Sequence, residues 1–184
     1  MSNWKVAAYY TDNYREYATN LVSSMAKFNI PGSAEFIADM GGWRMNTSHK
    51  PAFLLEQINN TSIDILYIDV DAEFRKYPVL FDNIEEDVAL YRGSVWAHSG
   101  IETLSGTVYL KNNKKVKDML EIWSIRCKAN PETWDQVHLA QAIEDKALSI
   151  KFLPVEYCMI FDSPHASGKD PYIIHNQASR KTRR

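Results

Sequence analysis

The chain reads as a single-domain α/β sandwich, in which helices cover both faces of a mostly parallel mixed sheet. Three observations carry that reading. Short apolar runs alternate with longer amphipathic stretches along the whole chain, as strands and helices do in a layered α/β domain. The run Ile65-Leu66-Tyr67-Ile68 is apolar without strict alternation, which suits a strand buried on both faces. There is no internal repeat, low-complexity tract or linker, and 184 residues is the size of one domain, so the expectation is a single unit over residues 1–184.

The elements follow in order. Trp4–Tyr10 has the apolar density of a first strand, and Thr11-Asp12-Asn13 breaks it with residues that favour turns and helix caps. Tyr17, Leu21, Met25 and Phe28 recur at helical spacing until Pro31-Gly32 stops the pattern. A second strand is expected over Glu35–Met40, followed by an irregular polar segment from Trp43 to Ser48. His49-Lys50-Pro51 opens a helix with proline in its first turn, and Phe53, Leu54 and Ile58 carry its buried face.

The central strand comes next and ends in Asp69-Val70-Asp71. Pro78 introduces a helical turn at Val79–Phe81, and strands are expected at Asp87–Tyr91 and Thr103–Leu110. The loop between them carries Trp96 and His98, either as contacts to a substrate or as a packing cover. Val116, Met119, Leu120 and Trp123 predict an inward helix face over Lys115–Cys127. Thr133 is a candidate cap for a further helix running through Val137, Leu139, Ala140 and Ile143. Short strands at Ile150–Pro154, Tyr157–Phe161 and Tyr172–Ile174 precede His175 and a basic, partly mobile tail at 179–184.

Composition narrows the function classes. A net charge of −2 argues against a protein that coats nucleic acid or binds membranes through general basicity. Cys127 and Cys158 stand far apart and in no metal-type spacing, so free thiols in a reducing compartment are expected. No run reaches the ~20 apolar residues of a membrane span. The N-terminus lacks the features of a signal peptide, and the expected location is cytoplasmic.

The polar residues that matter fall at strand ends. Tyr10-Thr11-Asp12 follows the first strand, Asp69 and Asp71 the central one, and His175 the last. In a parallel sheet such tips converge on one crevice, where α/β proteins place their ligands. Two carboxylates and an imidazole form an oxygen and nitrogen donor set that suits Mn²⁺ and tolerates Mg²⁺.

This order of signals resembles the nucleotide-diphospho-sugar transferases of the GT-A fold, in particular the small retaining type. The resemblance rests on Tyr9-Tyr10-Thr11, His49-Lys50-Pro51, Ile68-Asp69-Val70-Asp71, Ser105-Gly106-Thr107, Trp134-Asp135-Gln136 and Ile174-His175 followed by basic residues, and it spans Trp4 to Lys181. It implies a Rossmann-like domain that moves a sugar from a nucleotide-diphosphate donor, most simply a UDP-sugar, using Mn²⁺ or Mg²⁺. It implies that Tyr9, Tyr10 and Thr11 hold the base and that Lys50 reaches the nucleotide-sugar. Asp71 would be the primary metal ligand, with Asp69 contacting ribose or sugar and joining the metal set, and His175 completing it.

The same resemblance places Ser105 and Gly106 along the donor-sugar pocket, Asp135 and Gln136 beside the anomeric carbon, and Arg180 or Lys181 against the diphosphate. For Asp135 and Gln136 a plain capping role stays open, as does a solvated terminus for the tail. The acceptor is open among a glycan, a protein, a small molecule and a nucleic-acid base. Two other functions are compatible: a silent nucleotide-sugar-binding protein of the same fold, and a nucleotidyltransferase.

Overall fold

The computed structural model describes residues 3–95 and 100–182. Trp96 and His98, the loop residues singled out above, lie outside the described residues. Among the described residues the strands form two sheets, one of six strands and one of three.

The large sheet contains β1 (Trp4–Tyr10), β2 (Gly32–Phe36), β3 (Asp64–Ile68), β5 (Val88–Gly93), β6 (Glu102–Leu110) and β7 (Ile150–Phe152), in the order β2-β1-β3-β6-β5-β7. Only β6 runs against the others, being antiparallel to both β3 and β5, so the sheet is mixed and mostly parallel as expected. Alternate side chains divide between the two faces. Ala7, Tyr9, Ile65 and Tyr67 join one apolar cluster with Phe53, Leu54 and Ile58 of α3 (Lys50–Asn59). The same cluster takes in Trp123 of α4 (Lys114–Ala129) and Leu139 of α5 (Asp135–Lys146). Trp4, Val6, Ala8, Leu66 and Ile68 join the opposite cluster with Leu21 and Met25 of α1 (Arg15–Lys27). Each fully buried Leu, Ile or Met of these clusters contributes about 1.5–3 kcal/mol.

Local chemistry sets the element ends. Asn113 caps α4, its side-chain oxygen accepting from Val116 N at 3.0 Å. Asn29 and Ala147 take left-handed backbone just past α1 and α5, at φ 54° and 47°.

Three expectations need correction. The second strand lies at Gly32–Phe36, not at Glu35–Met40, because pairing with β1 begins where Gly32 approaches Val6. A Cβ at Gly32 would sit 2.1 Å from the Val6 carbonyl oxygen, and its φ is +134°, so only glycine lets the two chains approach there. The segment Trp43–Ser48 is a helix, α2, and not irregular. It is too short to stand alone and is held by tertiary bonds, with Tyr9 donating to the Asn46 carbonyl at 2.7 Å and Arg44 pairing with Glu132 at 3.6 Å. Thr133 is not the cap of α5; Trp134 occupies that position in extended backbone and its side chain makes no capping hydrogen bond. Within the tail, Ser179–Thr182 forms a short helix, α6, and residues 183–184 lie outside the described residues.

The small sheet was not foreseen. It pairs β4 (Ala72–Phe74) antiparallel to β9 (Ile173–His175), with β8 (Met159–Ile160) on the other side of β9. Ala72 and Phe74 lie in the same cluster as α1, so this sheet packs on that side of the main one. The last strand, expected as Tyr172–Ile174 in the main sheet, instead ends on His175 in this second one.

Candidate functional site

A cleft of ≈ 400 Å³ opens where the carboxyl ends of β1 and β3 meet β6 and the second sheet. Asp69 follows β3 directly, and its N–H donates to the Gly106 carbonyl at 2.8 Å, prolonging the ladder beyond Ile68 opposite Thr107. Val70 is buried, and it lines the cleft together with the two flanking carboxylates.

Asp71 meets His175 because β4 and β9 pair Ala72 with His175. The Asn176 N–H donates to the Asp71 carbonyl at 3.0 Å and the Ala178 N–H to its carboxylate at 2.8 Å. His175 Nδ1 is then 3.8 Å from Asp71 Oδ1. Ligand atoms of Asp69, Asp71 and His175 all lie within 4.8 Å of one another.

Gly106 faces this group. A Cβ there would be 3.0 Å from both Asp69 Oδ2 and His175 Cε1, and 3.3 Å from His175 Nδ1. The space between the donors thus exists because residue 106 has no side chain, and the donor set is one that Mn²⁺ accepts and Mg²⁺ tolerates. The three residues fit a divalent ion on both grounds.

Electrostatics reinforce the arrangement. Burial pushes the Asp71 carboxyl up, but the hydrogen bond and charge of His175, with the Ala178 N–H, bring it below the ordinary range. Burial pulls His175 down, while Cys158 and Asp71 more than offset this and lift it to about 10.

A second polar cluster adjoins the first. Lys50, only 2% exposed, places its ammonium 2.9 Å from Asp135 Oδ2 and 3.2 Å from Asp69 Oδ1. It also donates to Ser105 Oγ at 3.0 Å, and Ser105 Oγ donates to Asp135 Oδ2 at 2.7 Å. Burial works against the Lys50 charge, and Asp135 and Asp69 outweigh it, so Lys50 is held above its ordinary value. Tyr67 donates to Asp69 Oδ1 at 2.7 Å and lies beneath the ammonium, 5.0 Å from ring centre to Nζ. Burial first, and then Asp69, push the Tyr67 hydroxyl far above its usual range. Trp123 Nε1 donates to the Asp135 carbonyl at 2.9 Å, fixing the start of α5.

The structure brings together most of the residues singled out from the sequence. Tyr9, Tyr10, Thr11, Lys50, Asp69, Asp71, Ser105, Gly106, Asp135, Gln136, His175 and Arg180 all line the cleft. Lys181 does not line it. Tyr9 spends its hydroxyl on the Asn46 carbonyl, and Lys50 spends its ammonium on Asp135, Asp69 and Ser105. Arg180 pairs with Asp162 at the cleft edge.

Several lining residues escaped the sequence reading. Glu102 accepts from Gln136 Nε2 at 3.2 Å, placing a fourth acidic group in the cleft beside Asp69, Asp71 and Asp135. Trp43 and Trp134 meet edge to face on its wall, 6.5 Å between ring centres. Behind the lining, the buried Thr107 lies 2.8 Å from His175 Nε2, and Cys158 Sγ, which does line the cleft, 3.9 Å from it. Thr107 and Trp134 stand in the Ser105-Gly106-Thr107 and Trp134-Asp135-Gln136 segments, which marked their place without giving them a role; nothing local marked Glu102 or Cys158 as part of a site.

Comparison with known proteins bears on the fold and the family. Among solved structures, a glycosyltransferase involved in glycosylation of the major capsid of PBCV-1 superposes with a TM-score of 0.71 at 11% identity, over 95% of this chain and 92% of that one. GlyE of Streptococcus pneumoniae TIGR4 gives 0.63 at 13% identity over 93% of this chain and 54% of its own. The bifunctional glycosyltransferase WbbM gives 0.61 at 12% identity, over 96% of this chain and 46% of its own. This chain thus spans about half the length of the last two, and at such identities the likeness concerns the fold. No curated protein matches by sequence. The profile that describes nucleotide-diphospho-sugar transferases matches residues 22–184, across β3 with its two aspartates, the Ser105-Gly106 strand and His175, and the chain belongs to that family.

Proposed function

We propose that this glycosyltransferase cleaves a nucleotide-diphosphate-sugar, most simply a UDP-sugar, with the help of Mn²⁺ or Mg²⁺, and passes a hexose or pentose to an acceptor with retention. The observation that carries the reading is the convergence of Asp69, Asp71 and His175 in the cleft around a space kept open by Gly106. These three residues would hold the ion. When bound, it supplies positive charge against the diphosphate that leaves the sugar.

The protein's own groups do the remaining work. Tyr9, Tyr10 and Thr11, at the end of β1, take the base. Lys50 and Tyr67 fix one oxygen of Asp69, so that Oδ2 is directed toward Gly106 and His175. Lys50 and Ser105 hold Asp135 in the cleft wall. Gln136 gives its amide nitrogen to Glu102, which leaves the amide oxygen as its acceptor toward a sugar that becomes cationic as the bond breaks. Asp135 and Gln136 act by position and charge, and Arg180 at the cleft edge adds a cation for the diphosphate.

Among the described residues no helix is long and apolar enough to cross a membrane, and Cys127 and Cys158 are free and buried, which supports a reducing, cytoplasmic setting. The test is incubation of UDP-sugars with Mn²⁺ and no acceptor. Slow release of UDP, lost in Asp71→Ala, is the expected result. Tight binding with no turnover for any donor or acceptor would make the chain a nucleotide-sugar-binding protein instead.

A further inference from the structure

Resting on the reading of the cleft as a sugar-nucleotide site, we propose that Trp43 and Trp134 form its acceptor subsite and that the acceptor is a saccharide, stacked on indole with a hydroxyl held by Glu102. The two indoles meet edge to face at 85°, 6.5 Å between ring centres, and both belong to the cleft wall. Among the described residues, neither joins the apolar clusters packed on the two faces of the large sheet. Trp134 is 47% exposed, although tryptophan is on average a highly buried residue with a large apolar surface to hide. The corner is braced from outside, since Arg44, next to Trp43 in α2, pairs with Glu132, just before Trp134.

Position separates this corner from the diphosphate. Gly106 faces Asp69 and His175, whereas Glu102 begins the same strand, about 13 Å back along β6 at the rise of an extended chain. Gln136 reaches Glu102 at 3.2 Å, and Trp134 stands just before Asp135 and Gln136 at the start of α5. The indoles thus lie beyond the donor sugar and away from the ion. A saccharide has C–H faces and a rim of hydroxyls: the C–H groups pack on the negative face of an indole, and the rim needs acceptors. Gln136 occupies Glu102 Oε2 and steadies the carboxylate, which leaves Oε1 to accept from a hydroxyl. A nucleobase also stacks on indole, but the phosphates it brings require cations. Here Glu102 adds negative charge, and Arg44 is already paired with Glu132. The charge selects a neutral ligand rich in hydroxyls.

The test uses the whole chain with Mn²⁺ and UDP present, so that the donor end is filled, and a panel of methyl hexosides and methyl pentosides as probes. Saturation-transfer NMR should show magnetisation passing from the protein to the ring C–H groups of at least one glycoside. Titration of that glycoside should be weakened about 10-fold in Trp134→Ala and in Trp43→Ala. Trp134→Phe, which keeps an aromatic face, should lose less than Trp134→Ala. UDP titration of each variant checks the fold and the donor end, and Trp43→Ala carries the test should Trp134→Ala not fold. No glycoside bound by a wild type that binds UDP, glycoside affinity unchanged in both alanine variants, equal losses of UDP and glycoside, or adenosine bound in place of every glycoside would overturn the proposal alone. Failure of the wild type to bind UDP with Mn²⁺ would overturn the sugar-nucleotide reading, and this proposal with it.

Discussion

Gly106→Ala is the sharpest perturbation the site allows, because it adds one carbon and removes nothing. The backbone there lies outside the left-handed region, so alanine fits the strand and the consequence is local. The new Cβ would stand 3.0 Å from Asp69 Oδ2 and from His175 Cε1, where carbon contacts settle near 3.5 Å, so both side chains retreat by about 0.5 Å. Metal coordination tolerates about 0.2 Å of error in ligand distance. Two of three donors are therefore moved beyond tolerance, and Mn²⁺ affinity should fall by about 10- to 100-fold, as when metal ligands lose their orientation. Titration calorimetry with Mn²⁺ measures the loss, and chemical unfolding of the metal-free variant should change by less than about 1 kcal/mol. Wild-type affinity in a correctly folded Gly106→Ala protein would refute the claim that the ion sits between these side chains.

Other perturbations test the surroundings. Lys50→Met removes the counter-charge of Asp135, whose side chain is 8% exposed, and urea unfolding should show a loss of about 3–5 kcal/mol; a change below 1 kcal/mol would contradict the buried pair. Gly32→Ala forces a Cβ to 2.1 Å from the Val6 carbonyl in a backbone that L-residues avoid, so it should lower the melting temperature through at least the 1–3 kcal/mol or so of such strain, and an unchanged melt would count against the β1–β2 register. Asp87 gives a pH signature: burial raises it, but bonds from Ser149 N–H, Ser149 Oγ and Asn113 hold it below its ordinary value. Its stabilisation is complete above the unfolded pKa of about 3.9 and is lost as pH falls through the folded value. Urea midpoints between pH 2 and 5 should fall less steeply with acid in Asp87→Asn, and parallel curves would contradict the assignment.

What was legible in the sequence follows from the range of the interactions involved. The helices α1, α3 and α4 bury one face each, and that periodicity is written locally in Leu21 and Met25, in Phe53, Leu54 and Ile58, and in Val116, Met119, Leu120 and Trp123. The central strand and its two aspartates were legible because β3 is apolar throughout and stops at charge. Strand β2 was misplaced by four residues at its end because it is an edge strand, largely exposed, whose position depends on the approach of Gly32 to β1 rather than on apolar content. The α2 helix depends on Tyr9 and Glu132, distant in sequence.

The site itself was legible where strand ends carry polar residues, but the route by which His175 reaches it was not. That residue arrives through a second sheet whose strands β4 and β9 are three residues each and lie about a hundred residues apart. Such short pairings leave no periodic trace. The roles of Thr107 and Cys158 were not legible for a related reason: each meets His175 through one contact from another element.

The central claim, that Asp69, Asp71 and His175 form the metal-binding centre of a sugar-nucleotide cleft, is tested most directly by a crystal grown with Mn²⁺ and UDP and measured at the manganese absorption edge. One anomalous peak is expected among the three side chains, with the diphosphate beside it and the base against Tyr9 to Thr11. An ion bound elsewhere, with the cleft empty, would contradict it.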